Sequence, residues 1–387
     1  MATHFKMIAK TIFGFEDLLA DELKQLGAVN VEKGKRMVRF EGDLGFMYKA
    51  NLACRTAIRI IKPIHEFEAF TEKQLYEGIR KTDWSNYIHP SETLAIDTTV
   101  SSEYFTHSLY VAQKAKDAIV DQLRDKFNER PSVDIKNPDL RIDIHIHEHR
   151  VSVALDSSGE SLHKRGYRTV TNTAPINEVL AAGLVLLSGW DGGCDFLDPM
   201  CGSGTILIEA AMIAANIAPN MIRSDFAFMK WRDWDPSLFE TIRHSLEKKT
   251  RDVHCSILGM DKDPDVLAKA RENIRKAGLE NYIRLSEGDF FTSTKQNQGP
   301  LHILFNPPYD ERISIDTEHF YAAIGSTLKK NYPGTNAWII TANLDALKFV
   351  GLKTSRRIEV ANGQLDARLV KYEMYEGTRR TKFKGQE

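Results

Sequence analysis

The chain lacks the features that would place it in several large classes of protein. Its 387 residues include only four cysteines, which lie far apart and form no CxxC pair, so neither a disulfide framework nor a zinc site is expected. No stretch approaches the roughly 18 apolar residues of a membrane span, and the polar N-terminus does not resemble a signal peptide. We therefore expect a cytoplasmic protein that binds no metal and does not enter a membrane.

The chain also lacks an excess of charge of one sign. It contains 52 Lys and Arg against 53 Asp and Glu, which gives a formal net charge of -1. Bulk charge therefore provides no evidence for a nucleic-acid partner. A hydrophobic fraction of 42% and a charged fraction of 27% are typical of folded globular proteins, and the length predicts two or three domains.

The first 156 residues predict an α+β region without regular βαβ repeats. Apolar residues at helical spacing predict helices over Phe15–Leu26, Thr71–Lys81 and Tyr110–Phe127. Short alternating segments between them, such as Ala57–Ile61, predict strands. The polar, glycine-containing stretch Ser157–Arg168 is typical of a linker.

After this stretch the pattern becomes strand, glycine turn and helix, repeated along the chain. That alternation predicts a Rossmann-like, doubly wound α/β sheet with mostly parallel strands. Near the end, Thr354–Val360 and Ala367–Met374 are joined through Asn362-Gly363. This pair predicts a C-terminal antiparallel hairpin.

A glycine loop follows the first predicted strand of this second region. It reads Asp198-Pro-Met-Cys-Gly-Ser-Gly-Thr205, and its two glycines allow a tight turn and close approach of a ligand. The loop is neither GxGxxG nor GxxxxGK[ST], which weakens the dinucleotide and nucleoside-triphosphate interpretations. Taken alone, it is equally typical of a structural turn.

Two later strands end in acidic residues. Asp261 follows one of them, and its carboxylate can accept hydrogen bonds from both ribose hydroxyls of an adenosine. The next helix already has Asp263 as its cap, so Asp261 is not needed for capping. In Gly288-Asp289-Phe290, Asp289 can accept from an adenine amino group and Phe290 can cover the ring, although the same tripeptide is also common in turns.

The segment Asn306-Pro307-Pro308-Tyr309 ends an apolar strand and is the most specific signal. Two prolines remove two backbone donors in a row, so the strand end presents acceptors: the Asn306 side-chain oxygen and the Pro307 carbonyl. Both can accept from an amino group conjugated to a base, and Tyr309 offers a face on which the base stacks. Four such segments at successive strand ends match the ligand-binding edge of an open α/β sheet.

These motifs together resemble those of a known family. LDPMCGSGTILIEAA and NPPYDERI make residues from about Arg168 to Gly377 similar to the class I S-adenosylmethionine methyltransferases with an NPPY motif, in particular the 23S ribosomal RNA guanine-N2 methyltransferases. Asp310 stands where relatives commonly have glycine. The resemblance implies three domains: a ferredoxin-like subdomain (1–65), an RNA-binding THUMP domain (66–160) and the methyltransferase domain (161–387).

The resemblance also implies roles for individual residues in binding S-adenosylmethionine and the target base. The implied catalytic residues are Asn306, Pro307, Pro308 and Tyr309. The implied cofactor-binding residues are Thr173, Ala174, Pro175, Asp198, Cys201, Gly202, Gly204, Thr205, Asp261, Lys262, Asp289, Phe290 and Asn306. Lys164, Arg165 and Arg168 precede the catalytic domain and are expected to contact RNA phosphates.

The expected reaction is methylation of a guanine N2 in ribosomal RNA, within rRNA processing. Three alternatives remain open at this stage. The first is methylation of a tRNA guanine, the second is methylation of adenine N6, which suits the same motif, and the third is a non-catalytic RNA-binding assembly factor. The sequence gives neither the position methylated nor the oligomeric state.

Overall fold

The structure is a computed structural model that describes residues 3–168, 176–308, 316–363 and 365–375. The chain divides into two compact units. The first comprises Met1–Thr11, Leu19–Leu162 and Arg223–His244, and the second comprises Ile12–Leu18, His163–Ile222 and Ser245–Glu387. In the described ranges, no helix is long and apolar enough to cross a membrane.

The first unit is built on one eight-stranded sheet. Up to residue 156 the elements are β1 (Phe5–Thr11), α1 (Glu16–Leu26), β2 (Val29–Gly34), β3 (Met37–Gly42), α2 (Leu44–Ala53), β4 (Ala57–Glu68), α3 (Glu72–Arg80), β5 (Thr93–Ser101), α4 (Ser108–Phe127), β6 (Ser132–Val133), β7 (Leu140–His147) and β8 (Arg150–Asp156). The strand order is β2-β3-β1-β4-β8-β7-β5-β6. This mixed arrangement confirms the predicted α+β character.

The long strand β4 joins the two halves of this sheet. Its first part pairs with β1 and its second part with β8, both antiparallel. The register shifts between Pro63 and His65, because proline has no N–H to donate to the ladder. The sequence predicted only Ala57–Ile61 as strand, and it did not predict the parallel pairing of β5 with β7 across α4.

The second unit carries the doubly wound sheet. Its elements are α5 (Glu178–Ser188), β9 (Asp195–Asp198), α6 (Thr205–Ala214), β10 (Ile257–Asp261), α8 (Pro264–Lys276), β11 (Ile283–Glu287), β12 (Leu301–Phe305), α9 (Thr317–Asn331), β13 (Thr335–Thr341), β14 (Arg356–Asn362) and β15 (Leu365–Glu373). The helix α7 (Pro236–Glu247) lies between α6 and β10 in sequence, and its residues up to His244 belong to the first unit. The strand order is β11-β10-β9-β12-β13-β15-β14. The first five strands are parallel, and β15 and β14 add an antiparallel hairpin. Both the doubly wound sheet and the terminal hairpin are therefore confirmed.

A buried histidine lies under the middle of this sheet. His302 on β12 stacks on Phe196, and its Nε2 lies 2.9 Å from the hydroxyl of Ser188. Burial, and to a lesser extent the charge of Lys371, lowers the pKa of His302 to about 4. The imidazole therefore stays neutral in the folded protein at pH values where the unfolded chain would already be protonated.

We predict that His302 makes the protein less stable in mild acid. Between the unfolded pKa of about 6.5 and the folded value, the unfolded state binds one proton more, so the free energy of unfolding falls as pH falls. The contribution should total on the order of 3 kcal/mol. Denaturant unfolding of wild type and His302→Gln from pH 7 to pH 4 measures it. The variant should lose less stability than wild type, and parallel pH profiles would contradict the assignment.

Candidate functional site

Four strand ends of the second unit lie along one edge of its sheet. β9 lies between β10 and β12, and the chain passes to opposite sides of β9 to form them. Ligands of open α/β sheets bind at such a switch in strand order, beyond the carboxyl ends of the strands. Asp198 and Asp261 are the last residues of β9 and β10, Asp289 follows β11, and Asn306 follows β12. The structure thus places the four predicted segments on neighbouring strands.

The glycine loop adopts a conformation that requires its glycines. Gly202 and Gly204 have φ values of +54° and +82°, in the left-handed region that other residues adopt rarely. The backbone N–H of Cys201 donates to Met260 O at 2.8 Å, which ties the loop to β10. A Cβ on Gly202 would meet no atom of the described residues within 4 Å. The loop therefore borders open space on the side where a ligand would lie.

Two carboxylates flank this loop. Asp261 accepts the Gly202 N–H on Oδ2 at 3.0 Å and the Asp263 N–H on Oδ1 at 3.1 Å. Asp198 is only 1% exposed, and burial, assisted by the charge of Asp261, raises the pKa of its carboxyl well above the usual range. A cation bound here would offset both the burial of Asp198 and its repulsion by Asp261, since an opposite charge favours the ionised carboxylate.

Three of the predicted cofactor contacts differ in burial: Cys201, Thr205 and Lys262. Burial, followed by the charges of Asp198 and Asp261, raises the pKa of the Cys201 thiol well above its usual range. The thiol therefore stays protonated and is unsuited to act as a nucleophile. Thr205 is buried at the start of α6, whereas Lys262 is exposed.

One residue that supports the loop was missed by the sequence analysis. Asn273 on α8 is fully buried, and its Nδ2 donates to Ser203 O at 3.1 Å. It lies on the buried side of α8 with Leu267, Ala270 and Ile274. A polar residue on an apolar helix stripe is a signal that could have identified it, because buried amides need specific partners.

The structure corrects the expected role of Phe290. Its side chain is 2% exposed, and its ring centroid lies 5.5 Å from that of Phe305 and 5.7 Å from that of Tyr332. The ring is packed in the core and leaves no open face for an adenine. Asp289 remains exposed, although one of its oxygens accepts the Phe291 N–H at 2.9 Å.

Asn306 has an unusual environment at the end of β12. Its Oδ1 is buried and accepts no hydrogen bond from any residue that the structure describes. Pro307 is buried and Pro308 is half-buried, so the strand end is rigid and presents no backbone donor at these two positions. Tyr309 and the predicted methionine-side residues Thr173, Ala174 and Pro175 lie outside the described residues.

The expected RNA contacts of Arg165 and Arg168 are also corrected. Arg165 is fully buried; its Nε lies 3.4 Å from Glu209 Oε1. Arg168 donates from Nη2 to the hydroxyl of Thr205 at 2.7 Å. Both guanidinium groups are engaged inside the unit, although the Arg168 side chain is 13% exposed, and only Lys164 of the three is exposed.

Comparisons with known proteins identify the family of the chain. A family model described as the RMKL-like methyltransferase domain matches residues 165–371. The chain belongs to this methyltransferase family. A THUMP domain model matches residues 69–156, and an RlmL ferredoxin-like domain model matches residues 6–61.

Individual relatives extend the comparison. This chain is 36% identical to the Synechocystis sp. protein named "Putative RNA methyltransferase slr0064", over 96% of this chain and 97% of that protein. It is also 36% identical to the ribosomal RNA large subunit methyltransferase K/L of Syntrophotalea carbinolica, over 97% of this chain, but it spans only 54% of that protein. A solved structure described as "Crystal structure of SMU.472, a putative methyltransferase complexed with SAH" has a TM-score of 0.85 and 31% identity, and the match covers 98% of this chain and 100% of that chain.

Within the described ranges, no group of three or more His, Cys, Asp or Glu side chains is arranged to hold a metal ion. The candidate site consists of a glycine loop, three acidic strand-end residues and an amide oxygen that has no donor among the described residues.

Proposed function

We propose that this chain transfers a methyl group from S-adenosylmethionine to the exocyclic N2 of a guanine in 23S ribosomal RNA. The observation that carries the proposal is the buried Asn306 Oδ1, which has no donor among the described residues. Leaving a buried acceptor unpaired costs roughly 1–3 kcal/mol. A substrate amino group would provide the missing donor, and it would do so at the position where methyl transfer is expected.

The glycine loop fits the methionine end of S-adenosylmethionine. Among the described residues, no side chain caps the N-terminus of α6 after Gly204, and the partial positive charge of a helix N-terminus suits a carboxylate. The buried Asp198 carboxylate suits the ammonium group beside it. The open space at Gly202 leaves room for this part of the molecule.

The adjacent strand ends fit the adenosine end. Each oxygen of Asp261 accepts one backbone N–H, and since a carboxylate has about four acceptor positions, it retains capacity for both ribose hydroxyls. Asp289 lies next along the edge and is exposed, so it can accept from the adenine amino group. S-adenosylmethionine, when bound, supplies an electrophilic methyl group on a sulfonium.

Asn306 and Pro307 would prepare the target nitrogen for this methyl group. The lone pair of an exocyclic amine is delocalised into the base, which makes the nitrogen a poor nucleophile. Two fixed acceptors, Asn306 Oδ1 and Pro307 O, would hold its two N–H groups and favour a pyramidal nitrogen whose lone pair points at the methyl carbon. These hydrogen bonds strengthen as the nitrogen becomes positive, before it loses a proton.

The N-terminal domains support RNA as the substrate. The THUMP match at residues 69–156 and the relative that methylates large-subunit ribosomal RNA both favour it. Because the chain spans about half of that relative, the choice of ribosomal RNA is part of the proposal. We retain exposed Lys164 as a phosphate contact and the cytoplasm as the location.

We predict that Asp261→Ala weakens S-adenosylmethionine binding by roughly 1.5–3 kcal/mol, through the loss of charge-assisted hydrogen bonds. Isothermal titration calorimetry measures the affinity. Asp263→Ala is the matched control, because it removes the cap of α8 and should lower the melting temperature without changing affinity. Equal affinities of wild type and Asp261→Ala would exclude the ribose role.

For Asn306 we expect an effect on chemistry rather than on binding. Asn306→Ala should lower kcat by about 10²–10³, as for the loss of one oxyanion-hole partner, with little change in KM. Asn306→Asp keeps an acceptor and should retain more activity. The control Asn336→Ala alters an exposed amide on β13 and should leave kcat unchanged. Single-turnover kinetics measures the chemical step, and thermal melting of the same proteins reports whether they are folded. A normally folded Asn306→Ala variant with wild-type kcat would rule out a role of Asn306 in methyl transfer.

The identity of the product tests the substrate proposal. Deproteinised 23S ribosomal RNA and tRNA are incubated separately with enzyme and isotopically labelled S-adenosylmethionine, and the nucleosides are analysed by mass spectrometry. We expect label in N2-methylguanosine from 23S RNA, and none with Asn306→Ala. Label in N6-methyladenosine would show that adenine, and not guanine, is the target base. Label only in tRNA would show that tRNA, and not 23S RNA, is the substrate. The absence of cofactor binding would favour an assembly factor.

A further inference from the structure

The segment before α5 has a structural role that its sequence does not suggest. Arg165, Tyr167 and Arg168 point into the second unit and contact α6, the helix that follows the glycine loop. Tyr167 donates its hydroxyl to Glu209 at 3.1 Å, and Arg168 donates to Thr205 at 2.7 Å. Thr205 and Glu209 are four residues apart on α6 and therefore lie on the same face of it. The short segment of residues 165–168 therefore binds the first five residues of α6 at two positions, Thr205 and Glu209.

Glu178 completes this arrangement from the start of α5. Its Oε1 lies 3.4 Å from Arg168 Nε, and Arg168 also donates to Ile176 O at 2.8 Å. Glu178 is not needed as a helix cap, since Asn177 already accepts the N–H groups of Val179 and Leu180. Its carboxylate is therefore available to fix the position of the Arg168 guanidinium.

The carboxylate of Glu178 is only partly satisfied. The residue is 3% exposed, and its Oε2 has no hydrogen-bond partner among the described residues. Burial raises the pKa of Glu178 to about 7, against the opposing effect of Arg168. The other charged or titratable groups that face it are Arg165, Tyr167 and Glu209. Near neutral pH the buried pair therefore exists in both protonation states.

We propose that Arg168 and Glu178 form a buried positioning pair for the glycine loop, and that the proton on Glu178 regulates the affinity for S-adenosylmethionine. This inference rests on the proposed function of the loop. Ionised Glu178 holds Arg168 against Thr205, which fixes the start of α6 directly behind Gly204. Protonated Glu178 leaves Arg168 without its counter-charge, so the guanidinium no longer holds Thr205 and the loop is less well ordered for the cofactor.

The sign and size of the pH effect follow from this linkage. The state that binds cofactor favours the carboxylate, so affinity rises with pH through the neutral range and reaches a plateau above it. If the protonated form binds about tenfold more weakly than the ionised form, a pKa of about 7 makes the affinity about fivefold weaker at pH 6 than at pH 8. Burial also raises the pKa of Asp198, and the cofactor has an ionisable amine of its own, so the effect of Glu178 is measured as the ratio of variant to wild-type affinity at each pH.

The test is calorimetric titration of the full-length chain with S-adenosylmethionine at pH 6 and pH 8. Glu178→Gln mimics the protonated state and should bind about tenfold more weakly than wild type at pH 8, but within about twofold of wild type at pH 6. Glu280→Gln, an exposed glutamate in the same unit, should match wild type at both. A Glu178→Gln to wild-type ratio that is the same at the two pH values would overturn the inference.

A second pair of variants keeps the test decisive if Glu178→Gln does not fold. Thr205→Val removes the hydroxyl that Arg168 holds at nearly constant volume, whereas Thr205→Ser keeps it. The change in Kd between pH 6 and pH 8 should be smaller for Val than for Ser, and equal changes would refute the link to the loop. A wild-type chain that binds no S-adenosylmethionine at either pH would refute the proposed function itself, which is a distinguishable result.

Discussion

The position of every proposed ligand contact depends on the parallel ladder that β9 forms with β10 and β12. Because parallel strands end at the same edge, this ladder brings Asp198, Asp261 and Asn306 together from distant parts of the sequence. Gly259 in β10 allows α6 to pack closely on the sheet, since an added Cβ would lie 2.3 Å from a side-chain carbon of Leu207. A larger residue there would displace the helix whose N-terminus borders the candidate cofactor site.

The edge of the sheet carries two buried polar groups in unfavourable surroundings. Asn306 Oδ1 lacks a donor among the described residues, and Asp198 is a buried carboxylate whose nearest charged influence is another carboxylate, Asp261. Both features cost folding free energy. Both lie where a ligand with an amino group and an ammonium group would complement them. Other buried polar atoms of the unit, such as Asn273 Oδ1 and Glu178 Oε2, also lack a hydrogen-bond partner among the described residues. The position of Asn306 at the end of β12, and not the missing partner alone, is therefore what points to a binding site.

Sequence alone was sufficient for features that depend on local chemistry. The glycine loop, the strand ends and the Asn362-Gly363 hairpin each have a signature within a few residues. Features that depend on a distant partner were not predictable. Arg165 and Arg168 occur in a polar stretch that is typical of a linker, and only the fold reveals that Glu209, Glu178 and Thr205 neutralise or bind them. Phe290 was misassigned for the same reason, because nothing near it in sequence indicates that Phe305 and Tyr332 enclose its ring.

The division of the chain into units bears on how the domains can be studied. The proposed boundaries at residues 65 and 160 follow the sequence, but Arg223–His244 belongs to the first compact unit and Ile12–Leu18 to the second. In the first unit Phe228 packs against Tyr48 with 4.6 Å between ring centroids, and Arg223 donates to the carbonyls of Ser158 and Ser161. A fragment that begins at residue 161 would carry Arg223–His244 without the residues against which it packs, and its apolar side chains would be exposed to water. Loss of activity in such a fragment would therefore not by itself demonstrate a role for the THUMP domain in RNA binding, and point substitutions in the intact chain are the more informative approach.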